Sequence, residues 1–375
     1  MPAFSTADIE TLLTLCRHDL GTAPTGGVPM HDGWEGVIDA ALDHGLIGPL
    51  QCAVSNMRSV PKGVVSAIQT AYLAQAARNF QLIHALSEVL AALRKCDVEL
   101  CVLKGPAVAL IAYEQITNRQ FTDLDLLIRH KDLSQAEVAL AQIGFRRAST
   151  GAGRFQCEKD IQFIRDSDNV LLELHWALNA PARRFPIEMT GIWERRQTVC
   201  FQDQAIPTLG LEDTILSLCI HASVHGWSSL KWIFDIARIL RYRAALIDWE
   251  SLIERCRVVG CERILAVNLR LAFVLFGIKP PDAVATQILW DESTTQLVER
   301  FQRAILSNEP LSRADLALCY IQLHDRVWDR FLIGYRHLPT PGQKITVGPR
   351  RYISRPLRLF HLYGCDWLRM ALIGR

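Results

Sequence analysis

Nothing in this 375-residue sequence is long and apolar enough to cross a bilayer as a helix. The longest run free of Asp, Glu, Lys and Arg is Thr214–Leu230, 17 residues that include two His and four Ser; a spanning helix needs about 20 predominantly apolar residues. An excess of one charge is also missing. Forty-one Lys and Arg against 39 Asp and Glu leave +2, which argues against nucleic acid or anionic lipid as the main partner. Gly (22) and Pro (16) are too few, and hydrophobic residues at 50% too many, for a disordered or fibrous chain. The eleven cysteines contain no CxxC pair and sit mostly in apolar runs. They read as buried, reduced thiols of a cytoplasmic protein rather than disulfides or zinc ligands. Met1–Leu20 carries Asp8, Glu10 and Asp19 and lacks the basic-then-apolar layout of a signal peptide. No GxxxxGK[ST] occurs, which removes the P-loop, and Gly151-Ala152-Gly153 runs on to Gln156 where a dinucleotide fingerprint needs glycine.

What is present runs from helix to mixed α/β and back to helix. Ser5-Thr6-Ala7-Asp8 caps an amphipathic start at Ile9, Leu12, Leu13 and Leu15. Val64–Leu93 has Ala, Leu and Ile at three- and four-residue spacing without Gly or Pro, which predicts one or two long helices. At residue 98 the pattern changes. Val98–Leu103 is a short apolar run ending at Lys104-Gly105-Pro106, a strand meeting a helix with Gly105 as N-cap and Pro106 as first helical residue. Phe121–Ile128 is strand-like, and Asp132-Leu133-Ser134-Gln135 resembles a capping box whose helix stops at Gly144. Phe145–Ala148, Arg154–Cys157, Ile161–Ile164 and Val170–Trp176 are further strand candidates. From Leu211 onward helices return, with Leu230–Leu240, Trp249–Val258 and Ile264–Phe276 among them. The expected fold class is α+β: a small mixed β-sheet core at 96–205, helical regions at 1–95 and 206–335, and a basic tail at 336–375.

The chemistry concentrates in the sheet. In Phe121-Thr122-Asp123-Leu124-Asp125-Leu126-Leu127-Ile128 the two aspartates share one strand face, about 7 Å apart. Two like charges beside a core raise each other's pKa and are costly unless a cation neutralises them; Mg²⁺ or Mn²⁺ suits such oxygen ligands. The plain alternative is a strand end emerging into water, and lone DxD triplets are common. Three neighbours favour the site. Lys104-Gly105 lies at a strand–helix junction that favours phosphate, and Arg119 precedes the carboxylate strand within reach of a polyphosphate. Glu173, in Leu171-Leu172-Glu173-Leu174-His175-Trp176, offers a third carboxylate for a two-metal site. His221 and His225 are four apart on a predicted helix but lack the Glu of a zinc protease motif. They read as partly buried histidines facing the sheet, on a face able to line a cleft. Asp213 and Asp235 read as capping or salt-bridged residues.

Leu103-Lys104-Gly105, Arg119, Thr122–Leu127 and Glu173-Leu174-His175-Trp176 together resemble the bacterial "uncharacterised nucleotidyltransferase" family, part of the DNA polymerase beta-type superfamily. A later stretch agrees: Leu211-Glu212-Asp213, His221, His225-Gly226-Trp227 and Leu230-Lys231-Trp232-Ile233-Phe234-Asp235 resemble its helical segment. The likeness spans roughly residues 65–330. It implies a carboxylate triad, Asp123, Asp125 and Glu173, that holds metal and transfers a nucleotidyl group from an NTP. Lys104 and Gly105 then stand at the phosphate loop. The superfamily favours Gly-Gly or Gly-Ser there, and Pro106 after Gly105 departs from it.

The leading expectation is a metal-dependent nucleotidyltransferase placing NMP on an unidentified small-molecule, peptide or protein acceptor, with Glu173 helping to deprotonate that acceptor. A catalytically silent nucleotide-binding or scaffold module is the alternative, since members of a superfamily can lose catalysis and keep the fold. A glycosyltransferase, whose Asp-x-Asp holds a sugar-nucleotide's metal, is a third, against which the short sheet argues. The segment from Arg336 to Arg375 carries +7 and leaves −5 for the rest. Its basic, aromatic stretch at 350–373 fits a terminal helix packed on the bundle, or a weak peripheral contact with membrane or protein.

Overall fold

The computed structural model describes residues 4–23, 33–55, 57–113, 115–148, 159–180, 185–288, 290–307, 309 and 311–336. The strand candidate Arg154–Cys157 and the tail stretch at 350–373 lie outside them.

Four helices open the chain: α1 (Thr6–Leu20), α2 (Trp34–Asp43), α3 (Ile47–Val54) and α4 (Lys62–Lys95). At the head of α1 the expected capping box forms, with the Asp8 amide donating to Ser5 Oγ and the Ser5 amide donating to Asp8. The Gly- and Pro-free stretch makes one 34-residue helix rather than two. The sheet region follows as β1 (Leu100–Val102), α5 (Pro106–Ala112), β2 (Asp123–Ile128), α6 (Leu133–Gln142), β3 (Phe145–Arg147), β4 (Asp160–Arg165), β5 (Val170–His175), α7 (Met189–Glu194), β6 (Gln197–Phe201) and β7 (Gln204–Thr208). Helices α8 (Leu211–Val224), α9 (Leu230–Arg243), α10 (Trp249–Val259), α11 (Glu262–Phe276), α12 (Asp282–Ala285), α13 (Glu292–Ser307), α14 (Arg313–Gln322) and α15 (Val327–Arg336) complete it. Among the described residues no helix is long and apolar enough to cross a membrane.

The seven strands form one mixed sheet in the order β3-β4-β5-β2-β1-β7-β6, parallel at β2/β5 and β1/β7 and antiparallel elsewhere. The α+β expectation holds. Strand alternation gives the sheet two different faces. Leu124, Leu126, Ile128, Leu172 and Leu174 pack against the second half of α4 (Leu82–Leu93) and α6 in one core. The other face carries Asp123, Asp125 and Leu127, the last packed with Leu103, Ile192 and Trp193. A second core joins α1–α3 to α8–α11 and takes in Ile68 from the first half of α4, so this helix contributes to both.

The middle of α4 is polar where it passes the turn that leads into β2. Gln75 Nε2 donates to the Thr117 carbonyl at 2.7 Å, and Asn79 Nδ2 to the Ile116 and Arg119 carbonyls at 2.9 and 2.8 Å. Buried backbone acceptors of an irregular turn thereby find partners that secondary structure would otherwise supply. From the other side the α3 backbone approaches this turn so closely that a Cβ at Gly48 would overlap Asn118.

One local expectation is corrected and one element is added. Asp132 stands before α6 but makes no side-chain cap, because it ends a short 3₁₀ turn, and Gln135 donates instead to the Cys96 carbonyl at 2.7 Å. The hairpin β6–β7, joined through Gln202 at φ 50°, was not among the strand candidates.

Candidate active site

The parallel pairing of β2 with β5 places Asp123 opposite Leu171, Asp125 opposite Glu173 and Leu127 opposite His175. Two strands in this register project Asp125 and Glu173 side by side from the same face. On the far side of β5, antiparallel β4 brings Gln162 opposite Glu173 and Asp160 opposite His175. Gln162 Nε2 donates to Glu173 Oε1 at 2.8 Å.

His175 sits among these groups, 3% exposed. Its Nε2 lies 3.2 Å from Asp125 Oδ1 and 3.4 Å from Glu173 Oε2; its Nδ1 lies 3.3 Å from Lys159 Nζ and 3.5 Å from Asp160 Oδ2. Lys104, at the end of β1, reaches across with Nζ 3.1 Å from Asp125 Oδ1. Asp125, Glu173 and His175 each offer a ligand atom within 4.8 Å of the others, a donor set able to hold a divalent ion. Asp123 is two residues along the strand and outside that group.

The charges are unevenly matched. Burial alone would raise the Asp125 carboxyl, but Lys104 and the His175 hydrogen bond hold it far below the usual carboxylate range. Glu173 is lowered by its hydrogen bond with His175 against the opposing effect of burial. Asp123 goes the other way: burial and then the charges of Asp125 and Glu173 push it up, only partly relieved by Lys104 and Lys231. Lys104 is raised because Asp125 outweighs the cost of burying its ammonium. Two carboxylates of the three, Asp125 and Glu173, are held low by their partners; Asp123 is not.

The junction at Lys104-Gly105 forms as the sequence suggests, with Gly105 as N-cap at φ 51°, where glycine carries no side-chain penalty, and Pro106 opening α5. Arg119 departs from expectation. It is 4% exposed, and its Nε and Nη2 donate to both oxygens of Asp235 at 2.9 and 2.7 Å. Tyr113 Oη donates to the same carboxylate at 2.8 Å. Arg119 Nη1 lies 3.5 Å from the Gly105 carbonyl, so this guanidinium braces the loop from behind rather than facing a polyphosphate. Asp213 is likewise salt-bridged, to Arg195 and Arg255 at 2.8 and 2.9 Å.

His221 and Lys231 lie within electrostatic range of the carboxylate face, and His225 and Trp232 adjoin His221. Burial, then Arg119, pulls the Lys231 ammonium down to about 8, and Asp123 and Asp125 act on it in the opposite sense. His221 is pushed well below its ordinary value by burial, then by Lys104. Its ring centroid lies 4.7 Å from that of His225 and 5.2 Å from that of Trp232.

Of the residues singled out from sequence, Asp123, Asp125, Glu173 and Lys104 converge on one face, Gly105 adjoins them, and Arg119 lies behind. His175, Lys159 and Asp160 were not singled out. For His175 the signal was present: alternation along Glu173-Leu174-His175 puts it on the Glu173 face.

Comparison with known proteins gives a family. The model of the uncharacterised nucleotidyltransferase family matches residues 31–277. Among solved structures, the crystal structure of ANT(2″)-Ia in complex with adenylyl-2″-tobramycin is 15% identical, covering 55% of this chain and 97% of its own, with a TM-score of 0.27. The solution structure of the same antibiotic-resistance factor is 16% identical over 60% and 96%, with a TM-score of 0.27. An antigenic nucleotidyltransferase-like protein from Paracoccidioides brasiliensis is 16% identical over 54% and 96%, with a TM-score of 0.33. No curated protein matches the sequence. The family match spans more than half of the chain and includes both carboxylate strands: the protein belongs to the uncharacterised nucleotidyltransferase family.

Proposed function

We propose that this is a cytoplasmic, metal-dependent nucleotidyltransferase that moves NMP from an NTP to a hydroxyl of an unidentified small-molecule, peptide or protein acceptor. The bond between the α-phosphorus and the bridging oxygen breaks, a bond to the acceptor oxygen forms, and pyrophosphate leaves. The observation that carries this reading is the register of Asp125 beside Glu173 on parallel strands, with Asp123 on the same face. Asp123, Asp125 and Glu173 would hold Mg²⁺ or Mn²⁺, and His175 adds an imidazole that suits Mn²⁺ better than Mg²⁺. A divalent ion there supplies charge stabilisation at the entering and leaving oxygens.

The chain's own groups do the rest. Lys104 brings a cation to the phosphates, beside the Gly105 loop that Arg119 steadies. Glu173, at 20% the most open of the clustered ligands, accepts the acceptor's proton; a carboxyl held this low drives that transfer only weakly. One observation favours the silent-module alternative: Asp125 is already balanced by Lys104 and His175 within the chain.

The test is pyrophosphate release from each NTP with Mn²⁺ and a cell extract to supply acceptors. Slow release is expected, lost in Asp125→Ala and reduced in Lys104→Ala. Nucleotide binding without release, across all four NTPs, would favour the silent module.

A further inference from the structure

His221 lies in the last turn of α8 and His225 caps its C-terminus, which brings their ring centroids to 4.7 Å. The chain then doubles back, and Trp232 on the first turns of α9 comes within 5.2 Å of both imidazoles, edge-on to His221 and tilted by 37° to His225. The three rings are in mutual contact and run from half-buried His221 and Trp232 to exposed His225. Its inner end lies within electrostatic range of Lys104, Asp125 and Lys159, while Lys231, next to Trp232, feels Asp123 and Asp125. Cations and carboxylates suited to phosphates and metal thus give way, over one side chain, to aromatic faces. A nucleotide has the same order of chemistry: charged phosphates joined to a flat aromatic base.

We infer that the rings of His221, His225 and Trp232 form the base-binding shelf for the nucleotide whose phosphates meet the carboxylate face. The inference rests on the nucleotidyltransferase reading and adds to it where the base lies and how it is selected. Burial and the neighbouring Lys104 keep His221 uncharged at neutral pH, so its ring offers a neutral face rather than another cation. Stacking on rings uses the base's π-face and ignores its hydrogen-bonding edge. ATP and GTP should therefore bind alike, and both more tightly than the smaller-faced CTP and UTP.

Inorganic tripolyphosphate separates the shelf from the phosphate site. With Mn²⁺, wild-type full-length protein should bind ATP and GTP about tenfold more tightly than tripolyphosphate, within the range measured for one base–aromatic stack. Trp232→Ala should bring ATP down to the tripolyphosphate level without changing tripolyphosphate affinity, and Trp232→Phe should keep most of the difference. Trp232 also packs on the helical core; if its alanine variant fails to fold, His225→Ala, at an exposed position, should still weaken ATP binding about fivefold. Equal affinity of wild type for ATP and tripolyphosphate would overturn the shelf and spare the phosphate site. So would wild-type ATP affinity in folded Trp232→Ala or, where that variant does not fold, in His225→Ala. Binding of neither ligand would overturn the nucleotidyltransferase reading and the shelf with it.

Discussion

Replacing Asp123 with Asn should make the metal-free protein more stable. Asp123 and Asp125 project from one strand face, about 7 Å apart. At an effective dielectric constant near 20 two unit charges at that separation repel by roughly 2.4 kcal/mol. Lys104 and Lys231 cancel part of this, and Asp123 is only half-buried, leaving a net penalty on the order of 1 kcal/mol. Asn keeps the shape and removes the charge. At pH 7.5 in EDTA, Asp123→Asn should raise the unfolding free energy by about 1 kcal/mol, or about 1–2 °C in midpoint.

The pH dependence follows from the sign of the shift. The folded-state pKa of Asp123 lies above its unfolded value, so the stabilisation linked to its proton is full below the unfolded pKa and disappears as pH rises through the folded one. The variant's advantage should therefore be greatest at neutral pH and shrink to nothing as the pH falls below about 4. Urea unfolding of both proteins in EDTA at several pH values measures it. Added Mn²⁺ with NTP should raise the wild-type midpoint and leave the double variant Asp123→Asn with Asp125→Asn unmoved. A variant less stable than wild type at pH 7.5 in EDTA, or a gain that ignores pH, would refute the account of the carboxylate face.

Arg119→Met strands the fully buried Asp235 carboxylate with the Tyr113 hydroxyl; it should cost about 3–5 kcal/mol in urea unfolding, and pairing it with Asp235→Leu should recover much of that. A single-variant cost below about 1 kcal/mol would show that the pair is not a buried charge. Gly48→Ala pushes a methyl into the Asn118 backbone and should cost about 1–3 kcal/mol, seen as a lower thermal midpoint. Lys231, at about 8, lies below its ordinary range, so the unfolded chain binds the extra proton between about pH 8 and 10 and stability should rise across that window relative to Lys231→Met; parallel curves for the two proteins would contradict it.

The carboxylate strand was legible because β2 is buried from Leu124 to Ile128 and its acidic pair breaks a long apolar run. So was β5, an apolar run in which Glu173 stands alone as an acid. Their adjacency was not, since no local pattern says that β5 pairs with β2 rather than with β1, which takes β7 instead. That pairing decides whether Glu173 meets Asp125 at all. Arg119 was misread because a sequence shows the charge but not its partner: Asp235 lies 116 residues away on α9. The β6–β7 hairpin escaped notice because Gln197-Thr198-Val199-Cys200-Phe201 alternates only weakly and Gln202-Asp203 lacks the glycine that usually marks such a turn. Asp160 and Lys159 were not legible, because without the β4–β5 register nothing ties them to His175.

Helix α4 has a consequence for how the protein can come apart. At 1.5 Å per residue its 34 residues reach about 50 Å, and they wall two separate apolar interiors while gripping the turn ahead of β2. A fragment beginning at β1 would present Leu124, Leu126, Ile128, Leu172 and Leu174 to water and would lose the side chains that anchor the segment entering the acidic strand. Melting either end of α4 loosens the wall of one interior and, through the continuous helix, the other. The sheet and the helical body should accordingly unfold as a single cooperative unit, and amide protons in β2 and in α9 should exchange with the same free energy of opening.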